Sequence, residues 1–353
     1  MIKTILAFIL LIGIIVFIHE FGHFITAKKF GVYVHEFSLG MGPKLFSKQG
    51  KETKYSLRLL PIGGFVSMAG ENVNVEVEAD KNIPDERKFC NQKYWKKIII
   101  LSAGVVMNIL LATLLFSGLL LGGGKYYAPV KTVITGITEN SPAESAGFQV
   151  GDVVVSVKVD DKEYKVKTFT DMQILLSDKN SDAPSTYIVE RNGERLELSA
   201  IPEWNEEVER YLIGIQGTST EERDVNIFNC LYYGFRYCID LMFTIISSLR
   251  MLFMPNGLKQ ISGPVGIANI AGEAADLGIL PFISLLALIS LNIGVMNLLP
   301  LPVLDGGQIV IETIEKIIRR KIPEKAKVFV MLCCWVLLLG LMVVATINDI
   351  SNL

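Results

Sequence analysis

Four long stretches of this chain lack the charges that a water-facing structure carries, and they constrain the fold more than any other feature. Between Lys3 and Lys28 lie 24 residues whose only acid is Glu20. Ile98–Gly124 gives 27 residues without Asp, Glu, Lys or Arg, Leu277–Leu304 gives 28 and Val328–Asn348 gives 21. A hydrocarbon core of ~30 Å takes about 20 helical residues to cross, so each stretch is long enough. The expected fold class is a polytopic α-helical membrane protein with four transmembrane helices and the lipid bilayer as its solvent. A fifth stretch, Ile227–Met254, is apolar but carries Arg236, Asp240 and Arg250. It reads as an amphipathic helix, lying on the membrane surface or packed against the bundle. The first stretch also has the look of a signal peptide, but no A-x-A-like cleavage site follows it, so we keep it as a span.

A net charge of −2 exerts no global attraction on phosphate, so no nucleic-acid partner is expected. The five cysteines contain no C-x-x-C pair, and neither a zinc ribbon nor a disulfide scaffold follows from them. Cys333 and Cys334 sit in an apolar run and read as small core hydrophobes. The loops set the direction of the spans. Residues 25–97 hold 13 Lys and Arg against 8 acids, and residues 312–327 hold six against three. The segment 122–280 holds 14 against 22. The two basic loops are therefore expected on the cytoplasmic side of a bacterial inner membrane, with the middle segment and both termini outside.

Residues 131–216 have a soluble composition and short β-branched runs at Thr132–Ile137, Val153–Val157 and Thr186–Glu190. Asn192-Gly193 supplies the positive φ of a type I′ hairpin turn. Ser141-Pro-Ala-Glu144 reads as a capped short helix, with Ser141 as N-cap, Pro142 at N1 and Glu144 completing a capping box, and Gly147 ends it. A strand, then S-P-A-x-x-A-G, then Val150-Gly-Asp-Val-Val154 resembles a bacterial PDZ domain. That resemblance implies peptide binding by strand addition, with Thr168–Leu176 as the helix beside the groove. The fold class thereby gains an inserted α+β PDZ-like domain.

Two of the three histidines occur in His19-Glu20-Phe21-Gly22-His23. Histidines at i and i+4 project from one helix face, which suits two ligands of a tetrahedral Zn²⁺, and Glu20 beside them can serve as general base. The alternative, two imidazoles merely satisfied in a helix core, leaves an acid and two histidines inside an apolar span without a use, where ionisable groups are costly. A catalytic zinc also needs a third protein ligand. Asp305 is the candidate, because it closes the third span after a backbone broken by Pro300 and Pro302 and is followed by Gly306-Gly307. Spans one and three of a four-span chain run the same way, which puts His19, His23 and Asp305 at similar depth. His35, in the polar loop, is left out of the site.

H-E-F-G-H in a first span, N-x-x-P-x-P-x-L-D-G-G from Asn297 to Gly307 and a PDZ-like insert between them resemble the site-2 protease family of intramembrane zinc metalloproteases, its RseP-like branch best. Leu60–Val66, Ser262–Ile267 and Phe37–Pro43 extend the resemblance over nearly the whole chain. It implies His19, His23 and Asp305 as zinc ligands, Glu20 as base and Asn297 as a substrate contact. It also implies a membrane-associated hairpin at 57–70 that receives substrate as a strand along Gly63, Gly64, Phe65 and Val66. Only one PDZ-like unit fits between spans two and three. The organisation expected is a first helix with the histidine motif (1–27), a cytoplasmic loop and hairpin (28–97), a second helix (98–124) and the PDZ-like domain (131–216). An amphipathic helix and membrane-proximal loop (225–276), a third helix with the aspartate motif (277–307) and a fourth helix (328–348) follow. The expected activity is hydrolysis of pre-trimmed single-span proteins, of the anti-sigma-factor or signal-peptide-remnant type, in regulated intramembrane proteolysis. The inserted domain is expected to exclude untrimmed substrates rather than to recruit trimmed ones. A silent scaffold would have lost a catalytic residue, and none is missing. A metal transporter would spread acids or histidines over several spans, yet spans two and four hold none. Oligomeric state is left open.

Overall fold

The computed structural model describes residues 2–71, 80–159, 162–166, 169, 171, 172, 175, 184–205, 210–249 and 263–351. The chain divides into two compact units, residues 1–122 with 227–353 and residues 123–226.

Among the described residues, four helices of the first unit are long and apolar enough to cross a membrane: α1 (Ile2–Lys29), α2 (Tyr94–Gly123), α6 (Ile279–Asn297) and α8 (Glu324–Ser351). The third expected span, Leu277–Leu304, is shorter as a helix. Its regular part stops at Asn297, because Pro300 and Pro302 cannot donate backbone hydrogen bonds. The chain then turns and restarts as α7 (Asp305–Ile318), so Asp305 opens a new helix and does not close the span. The Cβ positions of Gly306 and Gly307 would lie 2.3 Å from the Leu298 oxygen and 2.0 Å from the Leu301 oxygen, so α7 begins flush against that turn.

The amphipathic stretch forms α4 (Cys230–Ser248). It packs on α2, where Cys238 lies 3.6 Å from Thr113 Oγ1 and Tyr237 stacks edge-on against Phe116. Pro264 sits in the first turn of α5 (Pro264–Leu277), so Gly263–Ile267 opens a helix where the motif had suggested a loop. Three apolar clusters hold the unit together. Leu11 and Ile15 of α1 meet Ala271 of α5 and Leu286 of α6. Ala112 and Phe116 of α2 meet Cys238 and Leu291. Ala27, Ile100 and Leu101 meet the hairpin residues Val34, Phe37 and Val66. Most side chains of α8 stay exposed, as a lipid-facing helix requires. Cys333 is exposed and Cys334 half-buried, so neither is the core hydrophobe that the apolar run suggested.

The expected hairpin at 57–70 is one half of a larger one. β1 (Val34–Gln49) and β2 (Lys54–Met68) pair antiparallel and both bend. Residues 36–39 pair on one side with 54–57 and on the other with 64–67, while 44–49 pair with 54–58. Among the described residues, Gly64–Ser67 is therefore an edge strand with a single neighbour. The long-range partner explains the difference from expectation, because nothing local to 57–70 announces that 36–39 will lie between its two ends.

The second unit is built on an antiparallel sheet in the order β10-β3-β4-β6-β7, with β5 (Lys162–Lys165) added to β4. Its strands are β3 (Lys125–Ile137), β4 (Val153–Val159), β6 (Ser185–Arg191), β7 (Glu194–Ala200) and β10 (Ile215–Asp224), and β8 (Glu203–Asn205) pairs separately with β9 (Arg210–Leu212). Ile134, Val154, Val157, Tyr187 and Phe148 form its core. The short helix α3 (Pro142–Ser145) is capped by Ser141 Oγ, which accepts from the Glu144 N–H at 3.3 Å. Glu144 reaches back one residue further than a capping box requires, to the Asn140 N–H at 2.6 Å. Asn192 and Gly193 both take positive φ between β6 and β7. The helix expected at Thr168–Leu176 lies partly outside the described residues; Phe169, Asp171, Met172 and Leu175 are helical.

Candidate active site

The helical repeat of α1 places His19 and His23 one turn apart on a single face. That face meets α2 at unusually short range, because two glycines remove the side chains between the helices. A Cβ on Gly22 would lie 2.5 Å from the Ala103 carbonyl oxygen. A Cβ on Gly104 would lie 2.4 Å from His23 Nε2 and 2.7 Å from His19 Nε2, so both imidazoles occupy the space that Gly104 leaves. The first turn of α7 delivers Asp305 to the same point. His19 Nε2 and His23 Nε2 are 3.2 Å apart, and Asp305 Oδ2 lies 3.2 Å from the first and 3.4 Å from the second.

These three atoms are spaced as ligands of one ion. Zinc bonds of ~2.0–2.1 Å at tetrahedral angles give a ligand–ligand separation of about 3.3 Å. Asp305 Oδ2 is buried without a hydrogen-bond partner, close to two imidazole nitrogens but at no hydrogen-bonding angle. A buried carboxylate oxygen left this way is costly unless a cation completes it. Among the described residues, His19, His23 and Asp305 form the one cluster of metal-ligating side chains within 4.8 Å of one another. The donor set of two imidazoles and one carboxylate fits zinc and leaves a fourth position open.

Glu20 is half-buried beside this triangle, and its carboxyl couples electrostatically to both imidazoles and Asp305. The edge strand passes against it. A Cβ on Gly64 would lie 3.0 Å from Glu20 Cγ and 2.8 Å from the Ser38 carbonyl oxygen. Gly63 holds φ at +81°, which turns the chain into that strand, and Phe65 and Val66 continue it opposite Ser38 and Phe37. Arg58 stacks on Phe65 at 5.0 Å and bonds Ser38, Gly42 and Glu36, so the hairpin is braced where it faces α1. An apolar groove of about 380 Å³ runs between Leu10, Gly13 and Phe17 of α1 and Leu39, Leu57 and Gly63 of the hairpin. Asn297 is the last residue of α6, half-buried, one turn-forming segment before Asp305.

A model of the peptidase family M50 matches residues 7–341. The chain belongs to peptidase family M50. Members are zinc metalloproteases of the intramembrane type, and this chain is a membrane zinc metalloprotease. It is 35% identical over 97% of its length to a protein of Clostridium acetobutylicum named "Putative zinc metalloprotease", with 96% of that protein covered. Proteins likewise named putative zinc metalloproteases in Clostridium perfringens and Fusobacterium nucleatum are 36% and 33% identical, the first over 95% of each chain and the second over 99% of each.

The surroundings of the site were less legible than its two histidines and aspartate. Asn108 of α2 is fully buried, with its side-chain amide 3.3 Å from His19 Nδ1. In the sequence it is one of four polar residues in an apolar span, with Ser102, Thr113 and Ser117, and no motif marks it. Gly104 reads there as an ordinary small residue. Glu71 follows the edge strand and accepts from the Met68 N–H at 3.2 Å. His35 is not without a partner, since its Nε2 lies 2.6 Å from Asp80 Oδ1, but it stands apart from the metal cluster.

Proposed function

We propose that this M50 zinc metalloprotease hydrolyses peptide bonds in the transmembrane segments of single-span proteins, after another protease has trimmed them. The observation that carries the reading is the triangle of His19, His23 and Asp305 with a carboxyl and an open strand edge against it. His19 and His23 would hold the metal through their imidazole nitrogens and Asp305 through a carboxylate oxygen. Zinc, when bound there, contributes Lewis acidity toward the scissile carbonyl and acidity to the attacking water. Glu20 takes the proton of that water and delivers it to the leaving amine.

A transmembrane helix hides its carbonyls in i→i−4 hydrogen bonds, so a substrate has to be unwound before it can be cut. Pairing along Gly64–Val66 would hold it extended, because that strand has a free edge and Gly64 presents no side chain between the strand and Glu20. Asn297, at the broken end of α6, is assigned a hydrogen bond to the substrate backbone. Two further elements of the reading rest on pattern. The antiparallel sheet with its capped S-P-A-E helix supports a PDZ-like second unit, and with it the RseP-like branch. The basic loops support an inner-membrane orientation with that unit outside and the active site toward the cytoplasm. In this role the unit limits access by size.

The test pairs two readouts. His23→Ala and Asp305→Ala should strip zinc, measured by elemental analysis of purified protein. Glu20→Gln should keep zinc and lose cleavage of a transmembrane substrate in proteoliposomes. Full zinc in both ligand variants, or wild-type cleavage by Glu20→Gln, refutes the assignment.

A further inference from the structure

The two histidines draw their outer hydrogen bonds from one stripe of α2. Ile100, Gly104 and Asn108 follow one another at i, i+4 and i+8, so they face the same side of that helix. His23 Nδ1 lies 2.8 Å from the Ile100 carbonyl oxygen, Gly104 leaves the room for both rings, and the Asn108 amide reaches His19 Nδ1 at 3.3 Å. A histidine that ligates through Nε2 must carry its proton on Nδ1, and that proton needs an acceptor. For His23 the acceptor is a backbone carbonyl. For His19, among the described residues, the group within hydrogen-bond reach is the side chain of Asn108.

We propose that Asn108 is the positioning residue of the metal ligand His19, accepting its Nδ1–H through Oδ1. The inference rests on the zinc-site reading above. As drawn, the amide nitrogen faces the imidazole, while Oδ1 is buried with no hydrogen-bond partner. The two ends of a primary amide are nearly isosteric, so a half-turn about χ2 exchanges them without moving other atoms. That exchange brings the orphaned acceptor to the one ring nitrogen that has to donate, and it takes from Oδ1 no bond that it now holds. The residue is also fixed in place. Its backbone carbonyl accepts from Ser290 Oγ of α6 at 3.0 Å, and its Cβ sits against Gly294, where an added Cβ would be 3.4 Å away. An uncharged amide performs this task in an apolar span at lower desolvation cost than the carboxylate often found behind zinc-bound histidines.

The experiment measures zinc affinity of full-length protein in detergent by competition with a chelator. Asn108→Leu, or Asn108→Ser if the leucine variant does not fold, should bind zinc about 10–100-fold more weakly. Asn108→Asp retains an acceptor and should stay within about threefold of wild type, a rescue that a purely packing role would not produce. Gly118→Ala, on the same helix with nothing within 4 Å of its Cβ position, leaves Asn108 and the imidazole untouched and should leave affinity unchanged. Wild-type affinity in the leucine or serine variant, or an equal loss in the aspartate variant, overturns the proposal. His23→Ala run in parallel separates the two levels: zinc retained there defeats the site itself, whereas zinc lost there with Asn108→Leu unaffected defeats only the role of Asn108.

Discussion

Replacing Gly104 with alanine should disarm the protease by one methyl group. The new Cβ would stand 2.4 Å from His23 Nε2 and 2.7 Å from His19 Nε2, and ordinary contacts begin at 3.4 Å. The His23 nitrogen must then retreat by about 1 Å and the His19 nitrogen by about 0.7 Å, whereas ligand distances tolerate only about 0.2 Å. A displacement of that size costs roughly 100-fold in rate. Zinc should weaken with it, because both imidazoles are pushed from the 3.2 Å spacing that matches a tetrahedral edge. Stability moves less, since overpacking of ~1–3 kcal/mol is partly offset by the ~1 kcal/mol that alanine gains over glycine in a helix. Gly118 lies on the same helix with nothing within 4 Å of its Cβ position, so Gly118→Ala receives the helical gain alone. The assay compares both variants for zinc after a chelator wash, for cleavage in proteoliposomes and for thermal unfolding in detergent. Wild-type zinc and turnover in Gly104→Ala would refute the reasoning.

Gly64→Ala crowds Glu20 Cγ at 3.0 Å and the Ser38 oxygen at 2.8 Å, so cleavage should fall at least tenfold while zinc stays bound; equal loss of both would show that the strand supports the metal instead. Asp349 accepts from the Gly263 N–H at 3.0 Å and the Gly266 N–H at 2.7 Å, tying the end of α8 to the start of α5. Asp349→Ala should cost about 1–2 kcal/mol, read as a lowered unfolding temperature in detergent, and an unchanged temperature would dismiss the tie. In the second unit, burial works against ionisation of Asp152, but the Arg191 guanidinium at 2.6 Å and the Gln149 N–H prevail and hold its carboxyl below the usual range. A depressed carboxyl stabilises the fold above its unfolded value near 4 and loses that contribution as pH falls through its folded value. Asp152→Asn should therefore lower the stability of this unit at neutral pH, by about 1–2 kcal/mol for a charge-assisted bond to a partly exposed guanidinium, and the gap from wild type should close in acid. Hydrogen exchange of β4 and β6 across pH reads it, and a gap independent of pH would contradict the sign.

What the sequence determined by itself were the features written in short-range pattern or in solvent preference. Charge-free runs of 21 to 28 residues point to helical spans, because a helix satisfies its own backbone polar groups in lipid. The i, i+4 spacing of His19 and His23 places two imidazoles on one face before any tertiary contact forms, and two prolines ahead of Asp305 end a helix wherever it lies. Tertiary structure decided what no local window contains. Whether Asp305 meets the histidines depends on a helix restarting after a turn, and the 3.2 Å spacing depends on Gly22 and Gly104 letting two helices close. The double pairing of residues 36–39, which leaves Gly64–Ser67 as a free edge beside Glu20, joins segments roughly thirty residues apart. Asn108 is the sharpest case. One amide in an apolar run has no meaning until α2 carries it to His19 Nδ1, since a hydrogen bond is a property of two positions and the chain states only one at a time.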